Sequence, residues 1–360
     1  MRRITAAVVL PLLAPAAHAQ PDNGSPPETI AASADEPHDG SRLVDTTALW
    51  HNDAAVFQPF SPTDKWFTNG FRVQAGFAPP DDPGHWTRVL AEGIPTLGME
   101  PDRVRWGIAI GQEMYTPAVI NSPVPNPDDR PFAGYLYGGG VLQRSDDRML
   151  DELRFDIGIV GEGSGAEDTQ KFVHRAFVGQ VNPEGWDDQL ANEPTFQLSA
   201  ARRWRVGLFE PEPSTGSDLG GFGVDLVPEI GFRAGTVRVD ANAGLTLRAG
   251  VGLQDHFGPD RFQSPIEIGA RAERDWSWYV FGRVGGEAIA HDLFLDGNVF
   301  VDGGPSVERE GLVGQLSGGI QFRYKAFELG WQVTWESERF EDQSSPHAFG
   351  TYTFGWSFDF

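Results

Sequence analysis

The chain contains no cysteine, so no disulfide can hold it together and its fold must do so alone. Beyond the first twenty residues, no stretch approaches the roughly 18 consecutive apolar residues of a spanning helix, which excludes helical membrane passage. Positive charge is scarce. The 28 Lys and Arg stand against 51 Asp and Glu, a formal charge of −23. That balance argues against a nucleic-acid partner and leaves a carboxylate-rich surface suited to divalent cations.

Other features are abundant. Arg2 and Arg3, a short apolar run over 6–16 broken by Pro11 and Pro15, and Ala17-His18-Ala19 read as a secretory signal over 1–19. Residues 20–45, rich in Pro, Ala, Ser, Asp and Glu, offer little to bury and read as a disordered periplasmic leader. From 46 to 360 the pattern is alternation. In the closing stretch Tyr352, Phe354, Trp356, Phe358 and Phe360 alternate with Thr351, Thr353, Gly355, Ser357 and Asp359, giving one aromatic face and one small, polar face. A closing strand that ends on Phe suits an outer-membrane barrel.

The same period recurs upstream. Val104, Trp106, Ile108 and Ile110 alternate with Arg105, Gly107 and Ala109. The odd positions of 327–335 are all large and apolar, whereas Thr68, Gly70, Arg72, Gln74 and Gly76 form an inward set between apolar neighbours. With the export signal, these rows predict an all-β fold: a transmembrane antiparallel β-barrel of twelve strands. The strands fall at 46–57, 66–80, 103–117, 132–146, 150–163, 194–208, 221–235, 238–252, 276–290, 310–325, 326–341 and 347–360. With both ends in the periplasm, connections 58–65, 118–131, 164–193, 236–237, 291–309 and 342–346 face outward. A short helix is expected at 85–92 and another, lodged in the lumen, at 167–178 of an extracellular loop.

Chemistry gathers at the outward rim. On the 167–178 helix, Glu167, Gln170 and His174 share a face. His174 could be a general base with Gln170 orienting it, or the helix could be an amphipathic plug without chemistry. Asn52-Asp53 lies near the outward end of strand one and Thr68 near that of strand two. With the histidine they fit a metal-assisted hydrolase, where oxygen ligands without cysteine favour Ca²⁺ over zinc. Asn52-Asp53 could equally be a strand-end cap.

The order Asn52-Asp53, Thr63-Asp-Lys-Trp-Phe-Thr-Asn-Gly70, Gly111-Gln-Glu-Met-Tyr-Thr-Pro117 and Asp129-Arg-Pro-Phe-Ala-Gly-Tyr-Leu-Tyr137 resembles the LpxR-type lipid A 3′-O-deacylase family. So does the continuation through 158–174, Gly185-Trp-Asp-Asp-Gln-Leu-Ala-Asn-Glu193 and Phe294-Leu-Asp-Gly-Asn298. The resemblance runs from about 46 to 360. It implies a twelve-stranded outer-membrane barrel that hydrolyses the ester of the 3′-acyloxyacyl group of lipid A with Ca²⁺. His174 would then take a proton from water, Asp53 would hold the metal, and Asn52 and Thr68 would support the site. Tyr115 and Arg130 would meet substrate. One departure is visible: the segment 121–127 lacks the adjacent basic pair that such deacylases can carry, and Arg130 is the nearest cation. The implied partners are lipopolysaccharide and the outer membrane. A phospholipase or other lipid esterase on the same frame, and a non-catalytic barrel or pore, are the competing expectations.

Overall fold

A computed structural model of the chain describes residues 40–53, 65–178, 183–209, 221–262, 266–269 and 275–358. The expected signal and most of the expected leader lie outside them, as do 54–57 of the first strand and the final two residues.

Twelve strands are present among the described residues. They are β1 (Arg42–Asn52), β2 (Trp66–Ala78), β3 (Arg103–Thr116), β4 (Ala133–Ser145), β5 (Met149–Val160) and β6 (Glu193–Trp204, resumed after Arg205 as Val206–Phe209). There follow β7 (Phe222–Gly235), β8 (Arg238–Val251), β9 (Trp276–Asp292), β10 (Leu312–Tyr324), β11 (Phe327–Glu336) and β12 (His347–Ser357). Each pairs antiparallel with its sequence neighbours, and β1 closes on β12 from Asp45↔Ser357 to Asn52↔Gly350. The sheet has no free edge, so every strand finds its backbone partners within the barrel. The first strand begins at Arg42, four residues before the expected boundary at 46.

Burial is inverted relative to a water-soluble sheet. Ile108, Ile110, Phe155, Ile157, Phe196, Phe232, Leu247, Val284, Leu316 and Trp335 are exposed on the outer wall. Arg72, Gln74, Glu152, Arg154, Asp225, Arg248, Arg283, Glu287 and Thr351 are buried in the lumen. The lumen charges are paired: Arg248 on Asp225, Arg323 on Asp255, Arg283 and Arg261 on Glu229. No described helix is long and apolar enough to cross a membrane.

Connections alternate between two rims. The upper rim carries those after β1, β3, β5, β7, β9 and β11. The lower rim carries the tight Lys325-Ala326 turn and α1 (Trp86–Gly93), capped by His85 and close to the expected 85–92. The expected luminal helix is α2 (Ala166–Val173), which continues as one wide π turn over His174–Val178.

The lumen itself is filled by another segment. The connection between β8 and β9 turns back into the barrel, and lumen side chains hold its backbone. Arg72 donates to the carbonyls of Phe262 (2.9 Å) and Arg261 (3.1 Å). Gln74 and Gln143 donate to Ile266 O at 3.1 and 2.7 Å, and Gln332 donates to Asp260 O at 2.7 Å. The segment climbs until Phe262 packs under Gly70. A Cβ on Gly70 would sit 2.7 Å from the Phe262 ring, so only glycine fits there.

Candidate active site at the upper rim

The start of β2 is irregular. Trp66 adopts left-handed φ of 62°, a conformation that costs a large residue energy. A β-bulge follows between Phe67 and Asn69. An inserted residue breaks the alternation, so Trp66, Phe67 and Thr68 are all buried in succession. Phe67, which strict alternation places outward, therefore turns into the lumen.

Phe67 stands in an aromatic column across the mouth. His51 stacks on it at 3.6 Å between centroids and donates its Nε2–H to the Phe67 carbonyl at 2.8 Å. Tyr115 stacks on its far side at 4.9 Å, and Phe294 stacks on Tyr115 at 4.2 Å. Phe294 comes from α3 (Leu293–Asp296), whose first turn is capped by the Asp292 carboxylate. Tyr115 donates to Glu113 at 2.5 Å.

Asp53 lies above this floor, fully buried. Its backbone N–H reaches Thr68 O at 3.3 Å, and its carboxylate accepts the Lys65 backbone N–H at 2.6 Å. His347, the first residue of β12, brings Nε2 to 3.9 Å from the same carboxylate, too far for a hydrogen bond. Thr68 shares a 2.6 Å hydroxyl–hydroxyl bond with Thr116. Asn52, half-buried, pairs across to Asn69 and Gly350. By strand alternation it lies on the face of Trp50, while Asp53 lies on that of His51.

On the His347 side of Asp53 lies a small pocket lined by Tyr115, Arg130, Arg238, Glu336, Arg339 and His347, among others. Two of its arginines are neutralised. Arg238 faces Asp292 at 3.3 Å, and Arg339 faces Glu336 at 2.8 Å and Glu287 at 3.2 Å. Arg130 is different. It is 2 % exposed, and its guanidinium lies 4.4 Å over the Tyr115 ring with no hydrogen-bonded carboxylate among the described residues. Burial holds it down to about 10, against the pull of Asp292. Lys65, partly buried at the same rim, is also lowered by burial, with Asp129 and Asp53 opposing.

The second group of residues rides on α2. Its entry is built by small residues: Gly165 takes left-handed φ of 69°, and at Gly134 a Cβ would collide with Ser164 and Ala166, so helix and strand meet closely. Gln112 ties β3 to Ser164 O at 2.7 Å. Trp186 packs with Phe132, Met114 and Ala166 and donates its indole N–H to Gln170 Oε1 at 2.8 Å. Gln170 is thus oriented by Trp186, and its Nε2 has no partner among the described residues. His174 is buried at the helix end, its backbone N–H on the carbonyls of Gln170 and Lys171. Glu167, expected on the same face, turns instead to pair with Lys171.

The structure therefore gathers Asp53, Thr68, Tyr115 and Arg130 around one wall of the mouth and carries Gln170 and His174 on α2 at the same rim. His347, Arg238, Arg339 and Glu336 join the site from strand ends scattered over a hundred residues. Their only sequence signal was position at the outward ends of strands.

The chain matches the family described as outer membrane protein LpxR over residues 6–358. It belongs to the LpxR family. Among solved structures, LpxR from Salmonella typhimurium is 18 % identical, with a TM-score of 0.69 over 87 % of this chain and all of that one. The likeness shows the shared barrel. The β domain of the Bordetella autotransporter BrkA follows at 12 % identity and a TM-score of 0.39, covering 89 % of this chain and all of that one. No curated protein matches. Family and barrel together place this LpxR-family chain in the bacterial outer membrane.

Proposed function

We propose that this LpxR-family barrel is a lipid hydrolase that removes the 3′-acyloxyacyl group of lipid A at the outer leaflet. The observation that carries the reading is a buried carboxylate, Asp53, at the mouth of a barrel of this family, with a buried arginine at the same rim, Arg130, whose guanidinium has no hydrogen-bonded carboxylate among the described residues. A lipid embedded beside the wall can reach that mouth without leaving the membrane.

His174 takes a proton from water, and the water oxygen attacks the ester carbonyl carbon. The bond to the sugar oxygen then breaks, releasing the fatty acid and a sugar hydroxyl that regains the proton. Gln170, fixed by Trp186, positions the end of α2 that carries His174. Arg130 and Tyr115 form a cation-bearing wall for the phosphorylated headgroup.

The donors at the mouth suit calcium. Asp53 is a hard oxygen ligand and Thr68, whose carbonyl pairs with the Asp53 N–H, offers a neutral hydroxyl, whereas Asn52 turns to the opposite face of its strand and would act only through the backbone. No three acidic or histidine side chains cluster among the described residues, so water and carbonyls would complete the shell, which Ca²⁺ tolerates. When bound there, the ion would polarise the ester carbonyl and stabilise the oxyanion.

A pore is the weaker reading, because the Phe262 segment occupies the lumen just under the mouth. The test is activity of purified protein on lipid A with EGTA and after Ca²⁺ is restored. Release of the acyloxyacyl acid only with calcium is expected. Release that survives chelation removes Asp53 from its metal role, and lysophospholipid as the product points to a phospholipase.

A further inference from the structure

The lower rim carries a feature that the chemistry above does not use. Along α1, Thr87 and Ala91 are buried against the barrel, whereas Trp86, Val89 and Leu90 are 51, 54 and 47 % exposed. At about 100° per residue, the second set lies on one face, roughly 120° round from the first. The third side holds Arg88 and Glu92. Just beyond the helix Leu97 is 79 % exposed.

This apolar face is held rigidly. Arg144 donates to the carbonyls of Ala91 (2.8 Å), Ile94 (2.6 Å) and Pro95 (2.6 Å), and Arg202 donates to those of Thr96 (2.7 Å) and Leu97 (3.1 Å). Both guanidiniums are paired with Asp151 on the barrel wall. Two arginines thus cap the C-terminal end of α1 and fix the chain after it.

The face also continues the wall that meets lipid. Trp86 packs edge-on against Trp106 at 5.4 Å, and Trp106 stacks on Phe77 at 4.5 Å. Trp106 belongs to the outward row of β3 with Ile108 and Ile110, both more than half exposed.

We propose that α1 is an interfacial helix, seated in the headgroup and upper acyl region of the glycerophospholipid leaflet on the lower-rim side. Barrel, bilayer and water each meet one of its three faces. Tryptophan at the interface end and aliphatics just below it match the aromatic girdle by which such barrels set their depth. The inference rests on membrane residence alone and holds whether or not the chain cleaves lipid.

Absence of cysteine makes the test clean. Leu90→Cys, Val89→Cys and Glu92→Cys would each take one nitrobenzoxadiazole label in the full-length barrel. The labelled proteins are reconstituted into phosphatidylethanolamine–phosphatidylglycerol vesicles, with folding checked by heat-modifiable mobility. Labels at positions 89 and 90 should emit to the blue of the label at 92. They should also be quenched at least threefold more by a phospholipid with a nitroxide at a shallow acyl carbon. Equal, water-like emission and equal quenching at all three positions would overturn the proposal. So would a blue shift that disappears on dilution of protein in lipid, since that points to a second copy of the chain as the occupant.

Discussion

Replacing Arg130 with methionine separates stability from function. The guanidinium is buried over the Tyr115 ring, with no hydrogen-bonded carboxylate among the described residues. Its depression by burial to about 10 corresponds, at about 1.4 kcal/mol per pH unit, to about 3 kcal/mol against the charged form. Losing the ring contact gives back about 1–2 kcal/mol. Arg130→Met should therefore stabilise the barrel by about 1–2 kcal/mol in urea titrations in vesicles. The sign follows from the depressed folded value: the penalty exists while the group is charged and fades as pH rises above about 10. The gain should then be full at pH 7 and shrink above pH 10. Activity should move the other way. Loss of a charge-assisted contact worth about 1.5–3 kcal/mol should lower kcat/KM on lipid A on the order of 10- to 100-fold. A variant that unfolds more easily than wild type at pH 7, or one with unchanged kcat/KM, would refute the reasoning.

Three further outcomes follow from the same geometry. Gly70→Ala should destabilise by about 1–3 kcal/mol through overpacking on the Phe262 ring, and the same change should cost little in a Phe262→Ala background; an equal cost in both backgrounds would mean the clash lies elsewhere. Phe294→Ala should cost about 3–5 kcal/mol by opening the column at Tyr115, seen as a lower urea midpoint. Burial raises Asp296, but hydrogen bonds from His291, the Asp292 N–H and Arg309 together hold its carboxyl below its ordinary 3.8. Its contribution is present above that value and is lost as pH falls through the folded one. Asp296→Asn should flatten the acid limb of the stability curve below pH 4, and an unchanged limb would dismiss the pair.

The fold was legible because a membrane barrel writes its two faces with a period of two. Val104–Ile110 and Tyr352–Trp356 needed no partner to declare which side met lipid. The bulge at Phe67–Asn69 was not legible, because one inserted residue leaves no mark in composition yet turns Phe67 inward. The luminal segment was hidden for a related reason. Residues 253–275 lie between two expected strands as an ordinary connection, and the side chains that hold its described part inward, Arg72, Gln74, Gln143 and Gln332, lie on three other strands. Of the candidate site, Asp53 and Thr68 were named from strand position, and Tyr115 and Arg130 from the family resemblance. His347, Arg238 and Arg339 were not, since closure of β12 on β1 is what brings His347 to Asp53. The family motif Phe294–Asn298 proved partly structural: Asn298 exchanges two hydrogen bonds with Ala191, tying two upper-rim connections together.

The most direct measurement is a mass profile of lipid A from cells producing the wild-type chain or His174→Ala, with equal amounts of folded barrel in the outer membrane. Loss of the 3′-acyloxyacyl group with the wild type and its retention with the variant is the predicted result. Identical profiles from the two, in cells where both barrels are folded, would contradict the account.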